Sequence, residues 1–163
     1  MAVDAIPVTE QSRLSVHQVL HRRKDEPGAL LPILHDIQDE LGFIPSDLVA
    51  DIAAALNLSR AEVHGVITYY HHFRSTAPGR HVVQICRAEA CQAMGAEALF
   101  AHAQEHLACK AHHTTPDGSV TLEAAYCLGL CASSPSIAIN VEVHARVTPI
   151  KFERLMAEAR GQA

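Results

Sequence analysis

Two tight pairs of cysteines punctuate the second half of this chain. Cys86 and Cys91 stand in C-x4-C spacing and Cys127 and Cys131 in C-x3-C spacing, with residues 92–126 between the pairs. Thiolates are soft ligands, and four of them together select zinc, copper(I) or an iron–sulfur cluster. Zinc ribbons use C-x2-C knuckles, with both sulfurs on one turn around one metal. Gaps of four and three residues suit a larger object. A [2Fe–2S] rhomb has two irons, each taking two thiolates, and a pair-plus-pair arrangement fits it. On spacing alone a single zinc, and disulfides or free thiols, stay open beside it.

Composition narrows the choice. The chain has 163 residues, enough for one domain or a domain with an appendage, and its 48% apolar content can fill a core. Its net charge of −5 carries no long run of either sign, which argues against a nucleic-acid footprint. No apolar run reaches membrane-spanning length. Residues Met1 to Ser15 carry Asp4, Pro7 and Glu10 and do not read as a secretory signal, so a cytoplasmic location is expected. Disulfides are rare in a reducing cytosol, and five cysteines is an odd number; both point the pairs towards metal. Trp is absent and aromatics make up only 4%, so stacking platforms for bases or sugars are not expected.

Along the chain, residues 1–12 read as a flexible tail and residues 13–76 as a helical bundle. A first helix is expected over Leu14–Arg23. Leu30, Leu34, Ile37 and Leu41 then form one helix face, stopped by Gly42. Pro45-Ser46 opens a further helix through Leu48, Ile52, Ala55 and Leu56. Ser59 and Glu62 make a capping box for another, carrying Val63, Val66, Ile67 and Tyr70. Thr76-Ala77-Pro78-Gly79 is a turn cluster and the expected boundary. In residues 77–163 the period changes. A strand over His81–Ile85 ends in Cys86, a helix over Cys91–Leu107 shows Met94, Ala98 and Leu99 on a stripe, and a strand over Ser119–Tyr126 ends in Cys127. Two short strands, Ile137–Val141 and Val143–Val147, precede a helix opened by Thr148-Pro149 and packed through Phe152, Leu155, Met156 and Ala159. The order β-α-β-β-β-α implies an α+β fold, a small α/β sandwich behind an N-terminal helical bundle. Both cysteine pairs then lie in loops just after a strand, and they meet if those strands are neighbours.

Around the pairs, Gly129 permits a tight turn about a thiolate. The helix start near Cys91 and the hydroxyls of Ala132-Ser133-Ser134-Pro135 offer donors to sulfur, although solvated turn serines are the blander reading. Arg87 either offsets cluster charge or pairs weakly with Glu89 in solvent. Cys109 reads as a buried packing residue. His102 and His106, four apart with Cys109 three further on, and likewise His17 and His21, read as exposed helix positions, since no further ligand accompanies them. No G-x-G-x-x-G, Walker loop or convincing nucleophile occurs, so no catalytic residue is assigned.

The segments Ala29–Pro45, Glu62–Tyr70 with Phe73-Arg74, and the C-x4-C then C-L-G-x-C pattern together resemble a known family. This is the 24-kDa-type subunit of respiratory complex I, with its relatives in NAD-reducing hydrogenases and formate dehydrogenases. Cys86–Gly95 and Tyr70–Arg74 look most like the gamma subunits of soluble, molybdenum-containing NAD-dependent formate dehydrogenases. The resemblance covers residues 15–160. It implies a thioredoxin-like [2Fe–2S] domain and one cluster per chain, with Cys86, Cys91, Cys127 and Cys131 as ligands. The implied partners are a flavoprotein subunit that binds FMN and NAD, and a molybdenum-containing catalytic subunit. An electron-transfer subunit with no activity of its own follows. The helical region would then dock on the flavoprotein, through a face including Leu31, Phe43 and Ile44. The polar segment Ala132–Ser136 departs from complex I members, so their cluster potential does not transfer. Two other readings stand beside this one: the equivalent subunit of a complex I or hydrogenase, and a zinc-stabilised interaction module. A thiol–disulfide oxidoreductase ranks below both, because no C-x-x-C pair is present.

Overall fold

A computed structural model describes residues 9–161. It divides after Ala77 into two compact units. Four α-helices come first: α1 (Glu10–Arg23), α2 (Leu30–Leu41), α3 (Val49–Ala55) and α4 (Arg60–Tyr69). The tail expected over residues 1–12 lies mostly outside the described residues. Its last three positions are helical, because the Thr9 side chain accepts from the Ser12 amide and caps α1 one turn earlier than expected. Gly42 ends α2 at φ 82°, a conformation glycine adopts without a Cβ penalty. Ser59 and Glu62 form the reciprocal capping box of α4, with the Ser59 amide 2.8 Å from the Glu62 carboxylate.

The first unit closes over one apolar core that includes Val16, Val19, Ile33, Leu34, Ile37, Ile52, Val63 and Phe73. Leu30 and Leu41, expected on the buried face of α2, are only partly covered, and Ile33 takes their place. Buried Gln38 ties α2 to the segment after α4: its Nε2 donates to the His72 carbonyl at 2.8 Å, and its Oε1 accepts from the Arg74 amide at 2.7 Å. Ile44 does not belong to an outer face. It is 1% exposed, held in the core by its amide, which donates to the Arg74 carbonyl at 2.7 Å.

The second unit is a five-stranded sheet, β1 (His81–Cys86), β2 (His113–Thr114), β3 (Val120–Ala125), β4 (Ile137–Ile139) and β5 (Glu142–His144), with helices α5 (Glu89–Ala93), α6 (Ala96–Leu107) and α7 (Pro149–Gly161). The spatial order is β2-β3-β1-β4-β5. β1 and β3 run parallel, with Cys86 opposite Ala125, and the remaining neighbours are antiparallel. Val83, Ile85, Val120, Leu122 and Ile137 share a core with Leu99, Phe100 and Ala103 of α6 and Phe152, Leu155 and Met156 of α7. The helix expected over Cys91–Leu107 is broken. Gly95 at φ 90° separates α5 from α6, and Met94 is 63% exposed, so the stripe of α6 runs through Ala96, Leu99, Phe100, Ala103 and Leu107. Ala98 is exposed as well.

The parallel pairing of β1 and β3 decides where the cysteines go. Both strands end at the same edge of the sheet, so the loops after them leave side by side. β4 enters at that same edge, with Ile137 opposite Ile85.

Candidate metal centre

Cys86 closes β1 and Cys91 lies inside α5, and both are buried. Cys127 and Cys131 follow β3 and are exposed. Cys86, Cys91 and Ala96 form a small buried cluster, with Ala88 and Leu128 against it; small side chains here let the second loop come close. Cys127 and Cys131 have their sulfurs 3.7 Å apart. Two thiolates on one tetrahedral ion stand roughly 3.8 Å apart, given metal–sulfur bonds of about 2.3 Å. Cys127 and Cys131 are thus already spaced as two thiolates on one metal ion are. Among the described residues, no three cysteine sulfurs lie mutually within 4.8 Å.

Donors surround the sulfurs. The Gly129 amide points at Cys127 Sγ from 3.4 Å, and Gly129 takes φ 79° to do so. The Cys91 thiol in turn donates to Ser134 Oγ at 3.3 Å, and Ser136 Oγ lies 3.6 Å from the same sulfur. Both serines are buried, so the solvated-turn reading fails for Ser134. Burial pushes the Cys91 thiol up, but its hydrogen bonds with Ser134, Ser136 and Cys86 outweigh it, and the net direction is down. Cys131 moves up, chiefly through its hydrogen bond and charge interaction with Cys127, then through burial and the charges of Cys91 and Cys86. The Cys131 thiol thus feels the charge of the other three. Bringing them together as thiolates needs a cation to offset that charge, which is what a metal centre supplies.

Arg87 does not pair with Glu89. It forks onto Glu97 at 2.9 and 2.7 Å and lies over the Phe100 ring, 4.8 Å from its centroid. Its pKa is raised by the Glu97 bond. The positive charge is therefore already neutralised by a neighbour on α6. Cys109 is buried in the core of the second unit, away from these loops in the packing, and its thiol donates to the His113 carbonyl at 3.0 Å. Burial raises its pKa.

Sequence reasoning marked Ser136 only as part of the polar segment Ala132–Ser136, not as a neighbour of Cys86 and Cys91. Only the antiparallel start of β4 brings it beside β1, where its carbonyl accepts from the Cys86 amide at 3.0 Å. Register between distant strands is not written in local spacing, and no signal in the sequence marks it.

A family model described as the thioredoxin-like [2Fe–2S] ferredoxin matches residues 16–160. One subunit of the NADH-quinone oxidoreductase of Pseudomonas aeruginosa is 28% identical over 153 residues, covering 94% of this chain and 92% of that protein. A subunit of the NADP-reducing hydrogenase of Solidesulfovibrio fructosivorans is 27% identical, covering 88% of this chain and 84% of its own length. Among solved structures, an NAD+-reducing [NiFe]-hydrogenase in its air-oxidized state superposes with a TM-score of 0.69 at 24% identity over 86% of this chain. This chain spans only 24% of that one, and the similarity is one of fold.

Proposed function

The chain belongs to the thioredoxin-like [2Fe–2S] ferredoxins, and from that membership we propose how it holds its cofactor and what it serves. The cofactor is a [2Fe–2S] cluster, which when bound takes up and releases one electron at a time. Cys86, Cys91, Cys127 and Cys131 hold it as two pairs. The observation that supports this ligand set is the meeting of two cysteine loops at one edge of the sheet, fixed by the parallel register Cys86 to Ala125. Buried Cys86 and Cys91 anchor the inner side, while exposed Cys127 and Cys131 face outwards, where an electron partner can approach. The Gly129 amide and the Ser136 hydroxyl donate to the sulfurs and favour the added negative charge of the reduced state.

The chain serves as the electron-transfer subunit of an NAD-linked complex. It exchanges single electrons with the FMN of a partner flavoprotein that binds NADH, and it has no catalytic activity alone. The names of its relatives support this setting, a quinone oxidoreductase and a hydrogenase, each acting on a nicotinamide nucleotide. The finer assignment is to a soluble NAD-dependent formate dehydrogenase whose molybdenum subunit oxidises formate. Its support is the resemblance carried by residues 86–95 and 70–74. Among the described residues no helix is long and apolar enough to cross a membrane, and a cytoplasmic setting suits cysteines that form no disulfide.

Rapid mixing with NADH tests the division of labour. NADH should bleach the visible absorption of this chain only when the NADH-binding flavoprotein is present. Bleaching by NADH of this chain alone would contradict the proposal.

A further inference from the structure

We propose a second metal site in this chain, in which His102, His106 and Glu153 bind one zinc(II) ion and tie α6 to α7. The two histidines are four apart on α6 and so project from one helix face. From sequence they lack a companion. The fold supplies one: Glu153, from α7, offers a carboxylate oxygen, and the three ligand atoms all lie within 4.8 Å of one another. No cysteine takes part, so this site is chemically distinct from the thiolate centre. Two neutral imidazoles and one carboxylate form a zinc ligand set that leaves a fourth position for water.

Three observations separate this cluster from a chance surface grouping. First, the imidazoles are held in place. Their rings stack at 6.0 Å with an interplanar angle of 23°, and both stand edge-on to Phe152, at 6.3 and 6.0 Å. Phe152 is wholly buried, so it gives the rings a fixed floor. Second, His102 Nε2 is shielded from solvent and has no hydrogen-bond partner among the described residues. It lies 3.0 Å from Glu153 Oε1, an ion pair only when the imidazole is protonated. A buried donor or acceptor left this way costs free energy, and a metal ion on that nitrogen removes the cost. Third, the cluster opens to solvent on the side of Glu153 and His106, both exposed, so an ion can enter. Ligands around a tetrahedral zinc stand roughly 3.3 Å apart; small torsional changes on fixed helices reach that from the present spacing.

The test is competitive zinc titration of the untagged, full-length, cluster-loaded chain against a chromophoric chelator. The chain should take up one zinc without loss of iron or of visible absorption, and its melting temperature should rise. Losing an outer partner of a metal ligand already costs about 10–100-fold in affinity, so His102→Ala, His106→Ala and Glu153→Gln should each weaken zinc binding at least that much. Their cluster spectra report that they remain folded, and Glu153→Gln guards against loss of packing as the cause. Equal zinc affinity in wild type and all three variants overturns the proposal. So does zinc uptake that proceeds only with release of iron, because the cysteines would then be the ligands.

Discussion

Ser136 and Ser134 both approach Cys91, but they are not equivalent donors. The Ser134 hydroxyl already donates to the Cys131 carbonyl at 2.9 Å, so it reaches a thiolate only by giving up that bond. Ser136 presents its hydroxyl and its backbone amide to the same sulfur. An all-cysteine plant-type cluster lies near roughly −400 mV, and hydrogen bonds to sulfur raise the potential. A neutral hydrogen bond contributes about 1 kcal/mol net, and 59 mV corresponds to a tenfold equilibrium change for one electron. Ser136→Ala should therefore lower the midpoint by up to roughly 40 mV, and Ser134→Ala by less; an EPR-monitored redox titration decides. Asp117 gives a prediction of another kind. Its carboxylate accepts from the Thr115 hydroxyl and from the Ser119 amide and hydroxyl, and these bonds, Thr115 first, hold its pKa well below the usual carboxylate range. A depressed folded pKa stabilises the fold above the unfolded value of about 3.9 and loses that effect as pH falls below it. Asp117→Asn should melt earlier than wild type at pH 7, and the difference should shrink below about pH 4. At this scale the cysteines were legible because thiol chemistry is rare and spaced. Ser136, Gln38 and Glu153 were not, because their partners are chosen by tertiary register.

Glycines mark where elements meet, and they differ in what a side chain would encounter. A Cβ on Gly79 would sit 2.9 Å from the Val120 amide nitrogen and 3.0 Å from the Gly118 carbonyl oxygen, both backbone atoms that cannot step aside. Gly79→Ala should destabilise the sheet unit by about 1–3 kcal/mol. Gly65, inside α4, has nothing within 4 Å of the same position. Gly65→Ala should stabilise by about 0.4–1 kcal/mol, by restricting the unfolded chain. Thermal melts of both variants read the contrast in sign. Caps and periodicity made most elements legible: Gly42 after α2, Ser59 before α4 and Pro149 opening α7 all stand where local chemistry puts them. The break between α5 and α6 was not legible. The helical spacing continues across it, and only Gly95 at positive φ interrupts the path. The two-residue strand β2 was missed because its pairing with β3, His113 opposite Leu122, is set by a neighbour.

At the scale of the whole molecule, the chain divides into two compact units after Ala77, close to where helical spacing gives way to strand spacing. The helical unit bears a groove lined by Leu30, Leu58, Val66, Tyr69 and Tyr70, with Tyr69 74% exposed. Ile44, expected on a docking face, is buried, and this groove is an apolar surface left open in its stead. If the flavoprotein docks there, Tyr69→Asp should abolish co-purification with it while leaving the visible spectrum unchanged; unaltered co-purification would rule the groove out as the docking surface. Iron and acid-labile sulfide analysis of single Cys→Ser variants tests whether the four sulfurs hold the cluster. Wild type and Cys109→Ser should each contain two iron and two sulfide per chain, and changes at Cys86, Cys91, Cys127 or Cys131 should deplete both. Full iron and sulfide after substitution of any of those four, or their loss only on changing Cys109, would contradict this ligand set.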